Sequence, residues 1–123
     1  MSFYIVLSGK KSSLTCQLSK PYRLRGDWEV AVTSSIIKSE IENKTNMYWT
    51  LCDIADYSYV NSIPTQLVDI MVPDVKKNIR PMYVKVIKKS FSSINIELKQ
   101  DITKEDEEPI DIDITCILHF RKA

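Results

Sequence analysis

Apolar and polar residues alternate along most of this chain, most plainly near its end. Ile110, Ile112, Ile114, Cys116, Leu118 and Phe120 occupy every second position, with Asp111, Asp113, Thr115, Ile117 and His119 between them. Alternation with period two over this length predicts a long strand with one buried face. A chain that closes on such a strand reads as a self-contained β domain.

The same pattern recurs upstream. Residues 3–7 (F-Y-I-V-L) are apolar throughout, which suits a strand buried on both faces or one at a subunit contact. Residues 8–13 form a turn. Leu14, Cys16 and Leu18 then alternate with Thr15, Gln17 and Ser19 in a second strand that Pro21 limits. After a turn at Arg25-Gly26-Asp27, Trp28, Val30 and Val32 share one parity in a third strand that extends toward Ile36 and Ile37. Residues 39–46 are polar and predict a loop or one helical turn.

Residues 47–54 (M-Y-W-T-L-C-D-I) are rich in aromatic and apolar side chains and predict a fourth strand. Residues 56–64 read as irregular. Residues 66–72 predict a fifth strand stopped by Pro73, residues 74–81 a loop, and residues 82–87 a sixth strand. In residues 91–98, Ile94, Ile96 and Leu98 face inward. A charged loop over 99–109 leads to the final strand. The sum is about eight strands with turn signals at short spacing and no amphipathic helix. That pattern predicts an all-β antiparallel sandwich of about eight strands, most simply a single jelly roll, in one domain over residues 1–123.

Composition changes this picture little. The length of 123 residues fits one domain, and 44% hydrophobic with 27% charged residues is ordinary for a globular chain. A net charge of +1 gives no general attraction to nucleic acid or an acidic membrane. Lys10-Lys11, Lys76-Lys77 and Lys88-Lys89 are local basic pairs, and residues 105–108 are an acidic run. All read as solvated turns. Cys16, Cys52 and Cys116 are an odd, widely spaced set, unlike a disulfide framework or a zinc site. Cys16 and Cys116 read as small core hydrophobes in a reducing compartment. There is no signal-peptide pattern and no apolar stretch of membrane-spanning length, so a protein that is neither secreted nor membrane-bound is expected. The sequon at Asn43-Lys44-Thr45 then carries no meaning.

The chemistry-bearing residues are few. His119 is the one histidine. It falls on the outward parity of its strand near Arg121 and reads as a surface or interface residue. No phosphate-binding glycine loop, GxSxG or HExxH pattern occurs. Asp111 and Asp113 would lie about 7 Å apart on one strand face, and they read as acids that keep that face soluble. Neither metal nor cofactor is expected. Trp28, Trp49, Tyr48, Tyr57 and Tyr59 are candidates for a stacking platform. Trp28 shares the inward parity of Val30 and Val32, whereas Tyr48, Tyr57 and Tyr59 flank a loop and are the ones expected at the surface. Apolar residues on both parities, as at residues 3–7 and at Ile36-Ile37, need a second cover, and a subunit neighbour is a natural one.

Three segments together carry a resemblance: F-Y-I-V-L-S at residues 3–8, Gly26-Asp27-Trp28-Glu29-Val30-Ala31-Val32, and Ile117-Leu118-His119-Phe120-Arg121-Lys122. Tyr48-Trp49-Thr50-Leu51-Cys52-Asp53-Ile54 adds a fourth. In order, they resemble the F-Y-V-T-L-like, G-x-W-E-V-A-L-like, L-H-F-R-K-like and Y-x-Y-C-D-I stretches of proteins encoded by Maverick/Polinton elements and the related adintoviruses. The interval from Thr33 to Leu51 is shorter here than in those relatives, so the resemblance does not extend to their extra sequence or to a role for it such as a projecting domain. The resemblance implies a virion structural protein of the single jelly-roll type, a minor capsid or penton-like vertex subunit. It implies homo-oligomers, pentamers among them, and contact with a larger capsid protein.

The sequence therefore predicts a non-enzymatic subunit acting through self-assembly in a virion. Phe3, Tyr4, Ile5, Tyr57, Tyr59, His119 and Arg121 are its candidate interface residues, and Gly26, Trp28 and Phe120 are assigned to fold support. Two other readings stay open. One is a ligand- or receptor-binding jelly roll, such as a spike head or a carbohydrate-binding module. The other is a host-interaction protein that reuses a capsid fold.

Overall fold

The computed structural model describes residues 2–38, 47–72, 81–104 and 108–123. The readings of residues 39–46 and 74–80, the sequon at Asn43, the Lys76-Lys77 pair and the acids at 105–107 lie outside these residues.

The described chain is built from strands. They are β1 (Ser2–Lys11), β2 (Ser13–Arg23), β3 (Trp28–Lys38), β4 (Tyr48–Cys52), β5 (Ser58–Val60), β6 (Ile63–Thr65), β7 (Leu67–Met71), β8 (Val84–Lys85), β9 (Ser90–Lys99) and β10 (Asp111–Lys122). Pairing is antiparallel and nested: β1 with β10, β2 with β9, β3 with β8, β4 with β7, and β5 with β6. The chain is thus one long hairpin whose tip lies at Asn61-Ser62. Further ladders, β10 to β3 and β9 to β4, join alternate pairs into sheets ordered β1-β10-β3-β8 and β2-β9-β4-β7. The result is a two-sheet antiparallel sandwich, and its nested order is compatible with a jelly roll.

Inward parity fills the space between the sheets. Ile112, Ile114, Cys116, Leu118 and Phe120 of β10 are all buried, as are Val30 and Val32 of β3 and Ile94, Ile96 and Leu98 of β9. One end of the core is aromatic. Phe3 stacks between Tyr22 and Phe120, with ring centroids 5.0 and 4.7 Å away, and tilts against Trp28 at 5.5 Å. Trp28 is buried, and its Nε1 donates to the Arg25 carbonyl at 3.0 Å. Between them, Gly26 takes φ +83°, a left-handed value that suits glycine.

The eight predicted strands form the two sheets, with differences that have physical causes. β2 continues through Pro21 to Arg23. Its ladder to β9 is interrupted between Gln17 and Tyr22, so the missing proline N–H falls where no ladder bond is made. The predicted sixth strand shrinks to Val84–Lys85. The stretch read as irregular holds the β5–β6 hairpin. Its turn residues Asn61 (φ 48°) and Ser62 (φ 67°) are both left-handed, as a two-residue hairpin turn demands. Tyr48, expected at the surface, is buried in the core because its parity matches Thr50 and Cys52. Cys16 is half-buried against the core, whereas Cys52 and Cys116 lie within it.

A candidate assembly surface

The outer face of the β1-β10-β3-β8 sheet collects most of the candidate residues. The register sets them in rows. Ser2, Arg121, Glu29 and Lys85 form one, and Tyr4, His119 and Ala31 the next. Val6, Ile117 and Ser34 follow, then Ser8, Thr115 and Ile36.

The second row carries an interlocked aromatic group. Tyr4 stacks on His119 with ring centroids 4.6 Å apart. The Tyr83 hydroxyl and His119 Nδ1 share a hydrogen bond of 2.7 Å, and the Tyr83 ring meets the imidazole edge-on. Arg121 places Cζ 3.4 Å from the centre of the Tyr83 ring, a cation–π contact of about 0.5–1 kcal/mol at an open site. Its Nε donates to Glu29 Oε1 at 2.5 Å. Ala31, opposite His119 in the ladder, is fully buried. His119 and Glu29 thus each have a partner in the group.

Apolar side chains of this face stand open to solvent. Tyr4 is 62% exposed, Val6 56% and Ile36 43%. A β-bulge explains the Ile36-Ile37 pair. Ile117 faces Ser34 while Leu118 faces Val32, so Thr33 is the extra residue. The bulge turns Ile37 into the core and leaves Ile36 outside. Ser8 and Thr115 close the far end with a hydroxyl–hydroxyl bond of 3.2 Å.

Two residues expected at an interface point the other way. Ile5 is buried in the sandwich's own core, and Phe3 packs against that core. Alternation along β1 puts both on the inner face, where the second sheet covers them. The outer face receives Tyr4 and Val6 instead, and Val6 was missed because an unbroken apolar run does not reveal its own parity.

The tyrosines of the central loop stand elsewhere. Tyr59 lies in β5 opposite Pro64 and is 77% exposed, and Tyr57 is exposed beside it. The hairpin base is anchored by Gln66, whose Nε2 donates to the carbonyls of Asp53 and Ala55 at 3.1 and 2.8 Å. Trp28 and Tyr48 are core residues, so neither can join these tyrosines in a stacking platform. Trp49 is half-buried on the outer face of the other sheet, opposite Ile70.

Elsewhere the reactive groups are quiet. Burial pushes the Cys52 and Cys116 thiols up to about 12, which keeps both protonated at neutral pH. Asp111 pairs with Lys11 at 2.5 Å. Among the described residues no group of three or more His, Cys, Asp and Glu side chains is placed to hold a metal ion. No helix among them is long and apolar enough to cross a membrane.

No family model, no curated protein and no solved structure matches this chain.

Proposed function

We propose that this chain is a non-catalytic virion structural subunit, a single jelly roll of the minor capsid or vertex type. It works by burying the outer face of the β1-β10-β3-β8 sheet against copies of itself and against a larger capsid protein. The observation that carries the reading is that face: Tyr4, Val6 and Ile36 are exposed on a sheet whose other side is a packed core. Open apolar area flanked by satisfied polar groups marks a contact surface. The nested strand pairing and the Maverick/Polinton-like segments support the same reading, the fold by analogy only.

Gradient fractionation of particles from producing cells tests it. The chain is expected in the particle fraction at a fixed ratio to a larger capsid protein. Recovery solely in the soluble fractions would overturn the proposal.

A second reading rests on a different observation, the exposed Tyr57 and Tyr59 on an anchored hairpin. They suit a ligand- or receptor-binding module. A glycan array with binding abolished by Tyr59→Ala would favour it, and an array without hits would remove the carbohydrate version.

A further inference from the structure

We infer that β1 pairs edge to edge with β1 of a second copy, antiparallel and centred on Ile5. The inference rests on the self-assembly reading above and names its contact.

An open edge is a template for another strand, and edges are ordinarily blunted by charge, proline, bulges or brevity. Three of the four edges here carry such devices through their middle, and β1 carries them only at its far end, at Gly9 to Lys11. β2 has Lys20, Pro21 and an interrupted ladder. β7 is five residues long, carries Asp69 and has an extra residue, Val68, that breaks its register with β4. β8 is two residues long. β1 has none of these from Ser2 to Ser8: no charge, no proline and a regular register. Among the described residues it pairs with β10 alone.

The polarity of β1 is self-complementary. Its outward side chains run Ser2, Tyr4, Val6, Ser8, which reads polar, apolar, apolar, polar in either direction. An antiparallel copy centred on Ile5 places Ser2 opposite Ser8 and Tyr4 opposite Val6, so like meets like along the outer face. The band from Ile36 through Ile117 to Val6 stops at the edge of this sheet, and the copy's Tyr4 continues it. Charge selects the direction. A parallel copy would set Lys10 and Lys11 beside their equivalents, a destabilising arrangement. The antiparallel register separates the two Lys10 residues by about 34 Å, far beyond the screening length of about 8 Å at physiological salt.

The test combines mass and cross-linking. Light scattering of the wild type should rise with concentration toward at least twice the 14.2-kDa chain. Val6→Lys should weaken association at least tenfold with an unchanged circular-dichroism melt, and Val6→Thr should retain it. For register, Tyr4→Cys and Val6→Cys, each also carrying Cys16→Ser, are mixed and oxidised. The mixture should cross-link well and each variant alone poorly, because equivalent positions lie two residues out of step and beyond disulfide reach. Equal yields in mixed and single samples, or none in the mixture, would overturn the register and with it the proposal. An oligomer that survives Val6→Lys but is lost in Ile36→Lys would overturn β1 pairing and leave assembly through the sheet face standing. A wild type that stays monomeric throughout would overturn both.

Discussion

Asp69 and Thr50 face each other across the β4–β7 ladder on the inward side of the second sheet. Burial raises the Asp69 carboxyl to about 6, against which a hydrogen bond from the Ile70 backbone works in part. The folded state therefore holds this proton more tightly than the unfolded chain does. The cost of ionisation is absent below about pH 4, grows as pH climbs to about 6, and is complete above that. Asp69→Asn should then stabilise the protein at pH 7–8 by about 1–2 kcal/mol, a figure discounted for the carboxyl's partial exposure. It should change little at pH 3.5, and thermal melts at the two pH values check the sign. The Thr50 hydroxyl is buried without a hydrogen-bond partner among the described residues. Thr50→Val keeps the shape and removes the unsatisfied group, so a gain of about 1 kcal/mol is expected in a denaturant titration. Parity alone makes Trp28, Phe120 and the inward β10 residues readable from the sequence. The inward placement of Tyr48 and Ile5 was not readable, because each sits in a run with apolar residues on both sides.

At the scale of elements, the long strands were legible because alternation persists in them, and short ones escaped because they offer too few residues to show a period. β5 and β6 are three residues each, joined by Asn61-Ser62, a weaker turn signal than Asn-Gly. Ser62 holds φ 67° without the freedom of glycine. Ser62→Gly should stabilise the hairpin by about 0.5–1 kcal/mol, seen as slower amide exchange in β5 and β6. Unchanged exchange there would contradict the turn assignment. The bulge at Thr33 was equally invisible, since an inserted residue looks in sequence like two adjacent apolar positions, Ile36 and Ile37. That bulge supplies the outer face with its exposed isoleucine on β3.

For the whole molecule, the nested pairing explains why both ends of the chain, β1 and β10, lie side by side in one sheet. It also brings together residues from opposite ends of the sequence: Tyr4 with His119, and Glu29 with Arg121. No local motif announces such a surface. Its residues are ordinary ones gathered by topology, which is why His119 and Arg121 were recognisable only as outward-facing and Tyr83 was not singled out. The proposed role requires that other copies cover this surface and its edge. Sedimentation equilibrium of the wild-type chain, from micromolar to high micromolar concentration, tests it most directly. The weight-average mass is expected to climb from 14.2 kDa to a defined multiple of it. A mass fixed at 14.2 kDa across the whole range would contradict it.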